Sequence, residues 1–288
     1  MTTRAEVFYA GHALLGEGVQ WDASQGALLW VDIDAGRVFR MKSGSKPEHI
    51  ELGQKVGAVA PRQSGGLVLA VKEGFALIDR WGGPMRVVAS PEKDKPKNRM
   101  NDGKCDSAGR FFAGSISPGP KDARFYRLDP DGSVRVVLDD VTISNGLGWS
   151  PDNRTMYYID TPTHRVEAFD YDAASGALDG RRTLIHVPRE HGSPDGMAVD
   201  ETGCLWVAHF NGSAVRRYTP EGVLDRTIEV PTPLVTCCAF GGSDLSELYI
   251  TSCSSELDEA RRGKEPHAGD LFIASPGVKG LPAFPFGA

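Results

Sequence analysis

A polar residue, a glycine and then an alternation of apolar residues recurs along this chain, and that recurrence constrains the fold most. The fullest copy is Ser193-Pro194-Asp195-Gly196-Met197-Ala198-Val199-Asp200. Others are Glu17-Gly18-Val19-Gln20-Trp21, Val56-Gly57-Ala58-Val59, Asp102-Gly103-Lys104-Cys105 and Asn145-Gly146-Leu147-Gly148-Trp149, with a weaker copy at Cys237-Cys238-Ala239-Phe240. Successive copies lie about 40–50 residues apart, the spacing of propeller blades. The expectation is an all-β, six-bladed β-propeller in which equivalent positions of different blades meet at one central channel.

The segments between the copies fit that reading, being short, apolar or alternating, and bounded by glycine-rich turns. Blade one takes strands at 27–32 and 37–40, blade two at 67–70 and 74–78, blade three at 110–114 and 124–128. Blade four takes 156–160 and 165–170, and blade six 248–252 and 270–274. Asp129-Pro130-Asp131-Gly132 in blade three and Thr219-Pro220-Glu221-Gly222 in blade five put the same hairpin punctuation at matching places. Blade six is left about one strand short. Glu6-Val7-Phe8-Tyr9, ahead of the first repeat, is the segment expected to complete it and join the two ends of the ring. The one helical candidate is 256–262, an exposed turn or two with acid before base. Three loops, 117–123, 187–194 and 254–268, are candidates to lie over a channel mouth. No linker interrupts the chain, so residues 1–288 are expected to form one domain.

Glycine, 34 of 288 residues, stands at about 12% against a usual figure of about 7%, as an all-β chain rich in turns and bulges requires. The net charge of −6, with both signs interspersed and no basic run, argues against nucleic acid or an anionic membrane surface as partner. No apolar run approaches the roughly 20 residues of a membrane span, and the N-terminus lacks an apolar leader core. Five cysteines without a framework spacing read as reduced structural thiols of a cytoplasmic protein. Cys237 and Cys238 are adjacent, so their side chains should point to opposite faces of a strand. A monomer is the expected state.

No serine elbow, phosphate-binding loop or zincin motif is present, and the seven histidines are scattered. The polar residues of the repeat remain: Glu17, Asn101, Asp102, Asn145 and Asp195. Brought to one channel, two of these three carboxylates with amide oxygens make a hard-oxygen site for Ca²⁺, Mg²⁺ or Mn²⁺, and two charges balance a divalent ion. Taken alone, Asn145-Gly146 reads as an ordinary turn dipeptide. The shared register is what argues for a site. Blades two and six offer Val56 and Cys237 at the same place, so the fold itself does not demand polarity there.

The chain resembles the gluconolactonase/regucalcin (senescence marker protein) family of six-bladed propellers. The resemblance rests on Leu15-Gly16-Glu17-Gly18 with Trp21-Asp22, Asn98-Arg99-Met100-Asn101-Asp102-Gly103-Lys104, Ser144-Asn145-Gly146-Leu147-Gly148-Trp149-Ser150-Pro151-Asp152 and Ser193-Pro194-Asp195-Gly196-Met197. Leu205-Trp206-Val207-Ala208, Leu248-Tyr249-Ile250-Thr251-Ser252, Ala268-Gly269-Asp270-Leu271-Phe272 and Pro276-Gly277-Val278-Lys279-Gly280 extend it over nearly the whole chain. The resemblance implies that Glu17, Asn145 and Asp195 hold one divalent cation, with Ca²⁺, Zn²⁺, Mn²⁺ and Mg²⁺ all compatible. It implies that Arg99 and Asn101 reach the substrate, a sugar lactone such as gluconolactone, and that the reaction is hydrolysis of the ring ester. Asp195 is then the candidate for general base as well as ligand. Asp102 is expected to orient Asn101 or to cap its turn, and His191 and His209 to pack or face solvent. Residues 115–124 read Ser-Ile-Ser-Pro-Gly-Pro-Lys-Asp-Ala-Arg and lack the substrate-contacting glutamate that some animal members carry in this loop. The competing expectations are a phosphotriesterase-like metallohydrolase and a calcium-binding regulatory protein without turnover.

Overall fold

The computed structural model describes residues 2–288. Six sheets follow one another, each built of antiparallel strands that run outward in chain order from an inner strand, with two N-terminal strands added at the outer edges of blades five and six. The inner strands are Gly16–Asp22, Val56–Pro61, Arg99–Cys105, Ser144–Trp149, Ser193–Val199 and Val235–Gly241. Each packs against the next, and the sixth against the first, so the ring closes. The protein is a six-bladed β-propeller.

Between every pair of neighbouring blades lies one apolar cluster. Leu29 and Val31 of blade one meet Val59 and Leu69 of blade two, and Trp206 and Ala208 of blade five meet Phe240 and Leu248 of blade six. The cause is period-two alternation: each strand of a blade sends successive side chains to opposite faces, and both faces are covered by neighbours. Hence the inner and second strands are buried almost throughout, as in Ala27–Asp32 and Ser144–Trp149.

Blade six has only three strands of its own, Val235–Gly241, Glu247–Ser252 and Leu271–Ala274; Glu6–Tyr9 pairs antiparallel with the last as its fourth. The N-terminal closure expected from sequence is thus present. A further segment, Thr2–Arg4, adds to the outer edge of blade five in parallel with Leu224–Glu229, a pairing the sequence did not suggest. After Ala274 the chain crosses one face of the ring. It is tied to blade five through Leu281 N–H to Val199 O (3.3 Å), to blade two through Phe286 N–H to Pro61 O (2.8 Å), and to blade three through Gly287 N–H to Gly109 O (2.8 Å). The helical candidate is one turn, Glu259–Arg262, with Asp258 accepting from Arg261 N–H as its cap. All five cysteines are buried free thiols. Among the described residues no helix is long and apolar enough to cross a membrane.

Candidate functional site

Every inner strand carries a bulge at the repeat position. In blade three, Met100 pairs with Ser115 and Gly103 with Ala113, so Asn101 and Asp102 together oppose one residue. Asn145-Gly146, Asp195-Gly196 and Thr236-Cys237 stand in the same way in blades four, five and six, and Glu17 immediately precedes the bulge of blade one. An extra residue breaks the ladder and re-aims its side chain. The glycines are needed for close approach rather than for turning. A Cβ on Gly146 would lie 2.4 Å from Asp195 O, one on Gly196 2.5 Å from Cys237 Sγ, and one on Gly57 2.4 Å from Asn101 O. Asn145-Gly146 is therefore part of a strand, not the turn that the dipeptide suggests by itself.

The five polar residues at these positions are all buried: Glu17, Asn101, Asp102, Asn145 and Asp195. Their hydrogen bonding is incomplete. Glu17 Oε2 accepts from Gly18 N–H (2.9 Å) and Asp102 Oδ1 from Gly103 N–H (2.7 Å). Asn145 Nδ2 donates to Thr161 Oγ1 (3.1 Å), and that hydroxyl donates to Pro194 O (2.9 Å). Asp102 Oδ2, Asn145 Oδ1 and Asp195 Oδ1 are buried oxygens with no hydrogen-bond partner. A buried unsatisfied group costs about 1–3 kcal/mol, so three contributed by adjacent blades are unusual.

Electrostatics point the same way. Burial, and then the charge of Asp102, push Glu17 from 4.5 to about 8. Asp102 is raised by burial. Asp195 is raised well above the carboxylate range by burial and by the charges of Glu17 and Asp102. The three carboxyls compete for protons because positive charge among them is insufficient. Among the described residues no group of three or more His, Cys, Asp or Glu side chains is arranged to hold a metal ion. A cation here would need the amide oxygen of Asn145 as well as carboxylates. The donor set fits that demand: hard oxygens, two of them orphaned on Asn145 and Asp195, suit a hard divalent cation.

Arg99, half-buried, begins the inner strand of blade three. It donates to Asn101 Oδ1 (2.6 Å) and Met100 O (3.0 Å), and forms no ion pair among the described residues. Burial lowers its pKa, opposed by the charges of Asp34, Glu17, Asp195 and Glu256. This guanidinium thus faces the acidic cluster, and it is not a surface salt bridge. Asn101 turns its amide N–H to Ser144 O (2.8 Å), which ties blade three to blade four. Asp102 does not orient Asn101; it caps the backbone of its own glycine. His209 is a packing histidine: its Nδ1 lies 3.1 Å from His191 O and so must donate, leaving Nε2 to accept from Tyr218 OH (3.2 Å). Burial drives its pKa down to about 3. His191 ends the short turn Arg189–His191 that leads into Asp195, and its Nδ1 is buried without a partner.

Of the candidate cover loops, 254–268 reaches the site side of blade one through Ser255 Oγ and Asp34 Oδ2 (3.4 Å). Sequence reasoning missed Thr161, which holds Asn145 to the backbone beside Asp195. The available signal was the Asp160-Thr161-Pro162 end of a strand paired with the Asn145 strand.

Residues 15–254 match the family described as the SMP-30/Gluconolactonase/LRE-like region. Regucalcin of Danio rerio is 43% identical over 279 residues, 94% of each chain. A Bacillus subtilis (strain 168) protein described provisionally as sugar lactone lactonase YvrE is 38% identical over 278 residues, 95% of each chain. Among solved structures, a calcium-binding protein, regucalcin, of Agrobacterium tumefaciens str. C58 superposes with TM-score 0.95 at 28% identity, over 100% of this chain and 99% of that one. On the matched region, the shared identity and the common ring, this chain belongs to the SMP-30/gluconolactonase/LRE-like family.

Proposed function

We propose that the protein is a divalent-cation-dependent hydrolase that opens a sugar (aldono)lactone to its aldonic acid. The observation that carries this reading is the pair of orphaned oxygens, Asn145 Oδ1 and Asp195 Oδ1, buried beside a guanidinium with no ion pair. Glu17, Asn145 and Asp195 would hold the cation, which is one of Ca²⁺, Zn²⁺, Mn²⁺ or Mg²⁺. When bound, that ion supplies Lewis acidity to the ring carbonyl and offsets the carboxylate charge. Family membership and the YvrE relative's name support the lactone as substrate class.

The chain's own groups do the rest. Asp195, ionised once its neighbours' charge is offset, accepts the proton of the attacking water. Arg99 donates hydrogen bonds to ring hydroxyls and to the carboxylate that the reaction releases; guanidinium–carboxylate pairs are strong because both partners are charged. Asn101 holds Arg99 in place through its oxygen, and Thr161 fixes the Asn145 amide so that its oxygen stays free. Burial keeps competing water from these groups and strengthens each interaction.

The Agrobacterium relative is named for calcium binding, which favours a second reading, calcium binding without turnover. Arg99 weighs against it, since ion storage has no use for a cation placed against the ligands. The discriminating experiment follows acid release with a pH indicator. Chelator-stripped protein is given five- and six-membered sugar lactones and each of the four cations in turn. Turnover restored by one cation and lost in Asp195→Asn is expected. Cation binding by calorimetry with no turnover on any lactone would overturn the enzymatic reading.

A further inference from the structure

Three residues beyond the carboxylate ring, the inner strands line a second space. Gln20 follows Glu17 by three positions, Lys104 follows Asn101, Gly148 follows Asn145 and Ala198 follows Asp195. At about 3.3 Å per residue these lie up to roughly 10 Å further along the channel. They border a cavity of about 250 Å³ whose walls include Trp149, Ala239 and Phe240. Its floor is the crossing C-terminal segment, residues 281–284, held at one end by Leu281 on Val199 and at the other by Phe286 on Pro61. None of Glu17, Arg99, Asn145 and Asp195 borders it.

The walls are mainly apolar, with Ser150 and Asn153 among the lining residues, and two further polar side chains, Gln20 and Lys104, enter from the inner strands. Lys104 Nζ donates to Leu147 O (3.2 Å) and to Met197 O, which commits two of its three hydrogens. Among the described residues it has no carboxylate at ion-pair distance, although its charge lowers the pKa of Asp102 and Glu17 from farther off. Gln20 Nε2 donates to Val59 O, and its second N–H and its carbonyl oxygen have no protein partner. The site therefore offers an ammonium hydrogen and an amide N–H at the head of an apolar pocket. Engineered cavities of about 150 Å³ hold benzene, and drug-sized ligands need about 300 Å³ or more. This one lies between, the size of a single ring or short chain with a small head group.

We infer that this lower cavity is a binding site for a small apolar monocarboxylate, its carboxylate on Lys104 and Gln20 and its ring or chain against Trp149, Phe240 and Phe284. The polyhydroxylated product of the proposed reaction does not fit it, because most of its hydroxyls would meet apolar walls without partners. The site is independent of the lactonase reading and survives its failure.

Benzoate, benzyl alcohol and gluconate serve as probes, titrated into the cation-loaded full chain by calorimetry and by saturation-transfer NMR. Benzoate is expected to bind one to one, more tightly than benzyl alcohol, and gluconate not to compete with it. Lys104→Met should weaken benzoate about tenfold or more while leaving benzyl alcohol nearly unchanged, as expected for loss of a charge-assisted bond. Lys104 also ties blades four and five together, so Ala239→Leu provides a second test: it fills the cavity without touching the head group and should weaken both aromatic probes. Equal affinity for benzoate and benzyl alcohol, insensitivity to both variants, or benzoate binding abolished by Arg99→Ala would each overturn the inference. The last result would place the carboxylate in the upper site.

Discussion

Stripped of divalent cation, this protein should lose stability as the pH rises from 6.5 to 8, and Glu17→Gln should remove much of that loss. Glu17 titrates near 4.5 when unfolded and near 8 when folded. A carboxyl raised in this way keeps its full contribution below 4.5 and surrenders it as pH climbs through 8, since the folded state must ionise a group that the unfolded state has already ionised. Below 6.5 the slope is confounded by His209, which is neutral in the fold down to about 3 and makes stability rise with pH over that range. His164, lowered from 6.5, acts in the same sense. Above 6.5 both are neutral in the fold and lose their remaining charge in the unfolded state by about pH 7.5, a small opposing contribution, and the buried thiols and phenols of the fold have yet to titrate. Across the remaining 8 − 6.5 = 1.5 units, at about 1.4 kcal/mol per unit and tapering near 8, Glu17 alone removes roughly 1.5 kcal/mol. Asp195, raised well above the carboxylate range by burial, acts in the same direction. The assay is urea unfolding of chelator-treated protein at pH 6.5, 7.25 and 8.0, where 1.5 kcal/mol moves the midpoint by about 0.5 M for an m-value of about 3 kcal/mol/M. Saturating cation should flatten the profile of the natural chain and not that of Glu17→Gln. Flat or rising stability in the metal-free protein would refute the account of the site as uncompensated negative charge.

Arg99→Ala should lower kcat/KM on the responsive lactone by about tenfold or more while leaving cation affinity by calorimetry close to that of the natural chain; unchanged kinetics would remove Arg99 from the substrate's path. Gly146→Ala pushes a methyl group to 2.4 Å from Asp195 O and should cost about 1–3 kcal/mol, read as a lower Tm, together with a loss of turnover from the displaced Asp195. A fully stable variant would mean that the two bulges are not in contact.

The ring was legible because its repeat is written in residues that cannot be exchanged freely. In blades two, four and five a glycine must follow the channel residue because the next blade's inner strand presses on it, as Gly57 does on Asn101 and Gly146 on Asp195. The N-terminal closure was legible by subtraction, since the last blade was one strand short. Outer strands were harder. Ala177–His186 carries Arg181, Arg182 and Asp179 in an exposed edge, and with no neighbour on its far side nothing enforces apolar alternation. Thr2–Arg4 is three residues joined in parallel to a strand more than 200 positions away, which no local pattern reports. The candidate ligands were found by shared register, but Thr161 was not. Its contact with Asn145 depends on how a hairpin folds back, and Thr-Pro after a strand reads only as a turn. The tail's passage beneath the channel was hidden for the same reason: Phe286 is buried against blades two and three, and only the closed ring brings those blades within its reach.

The apolar exceptions in the ring leave Glu17 with few hydrogen-bond partners among the ligand candidates. Blades three, four and five are consecutive and bring Asn101, Asp102, Asn145 and Asp195 side by side, with amide groups interleaved among the carboxyls. Glu17 of blade one stands apart, flanked by Val56 on one side and Cys237 on the other, both fully buried. Neither neighbour can donate a useful hydrogen bond, and burial raises the Cys237 thiol still further from ionisation. Glu17 is left with the single N–H of Gly18, against Asp102, whose charge raises it further. With Val56 and Cys237 in the neighbouring repeats the carboxylate of blade one is short of donors, and the charges of Arg99 and Lys104 offset only part of the burial that raises it. The exceptions to the repeat are in this sense as much a part of the candidate site as the residues that follow it.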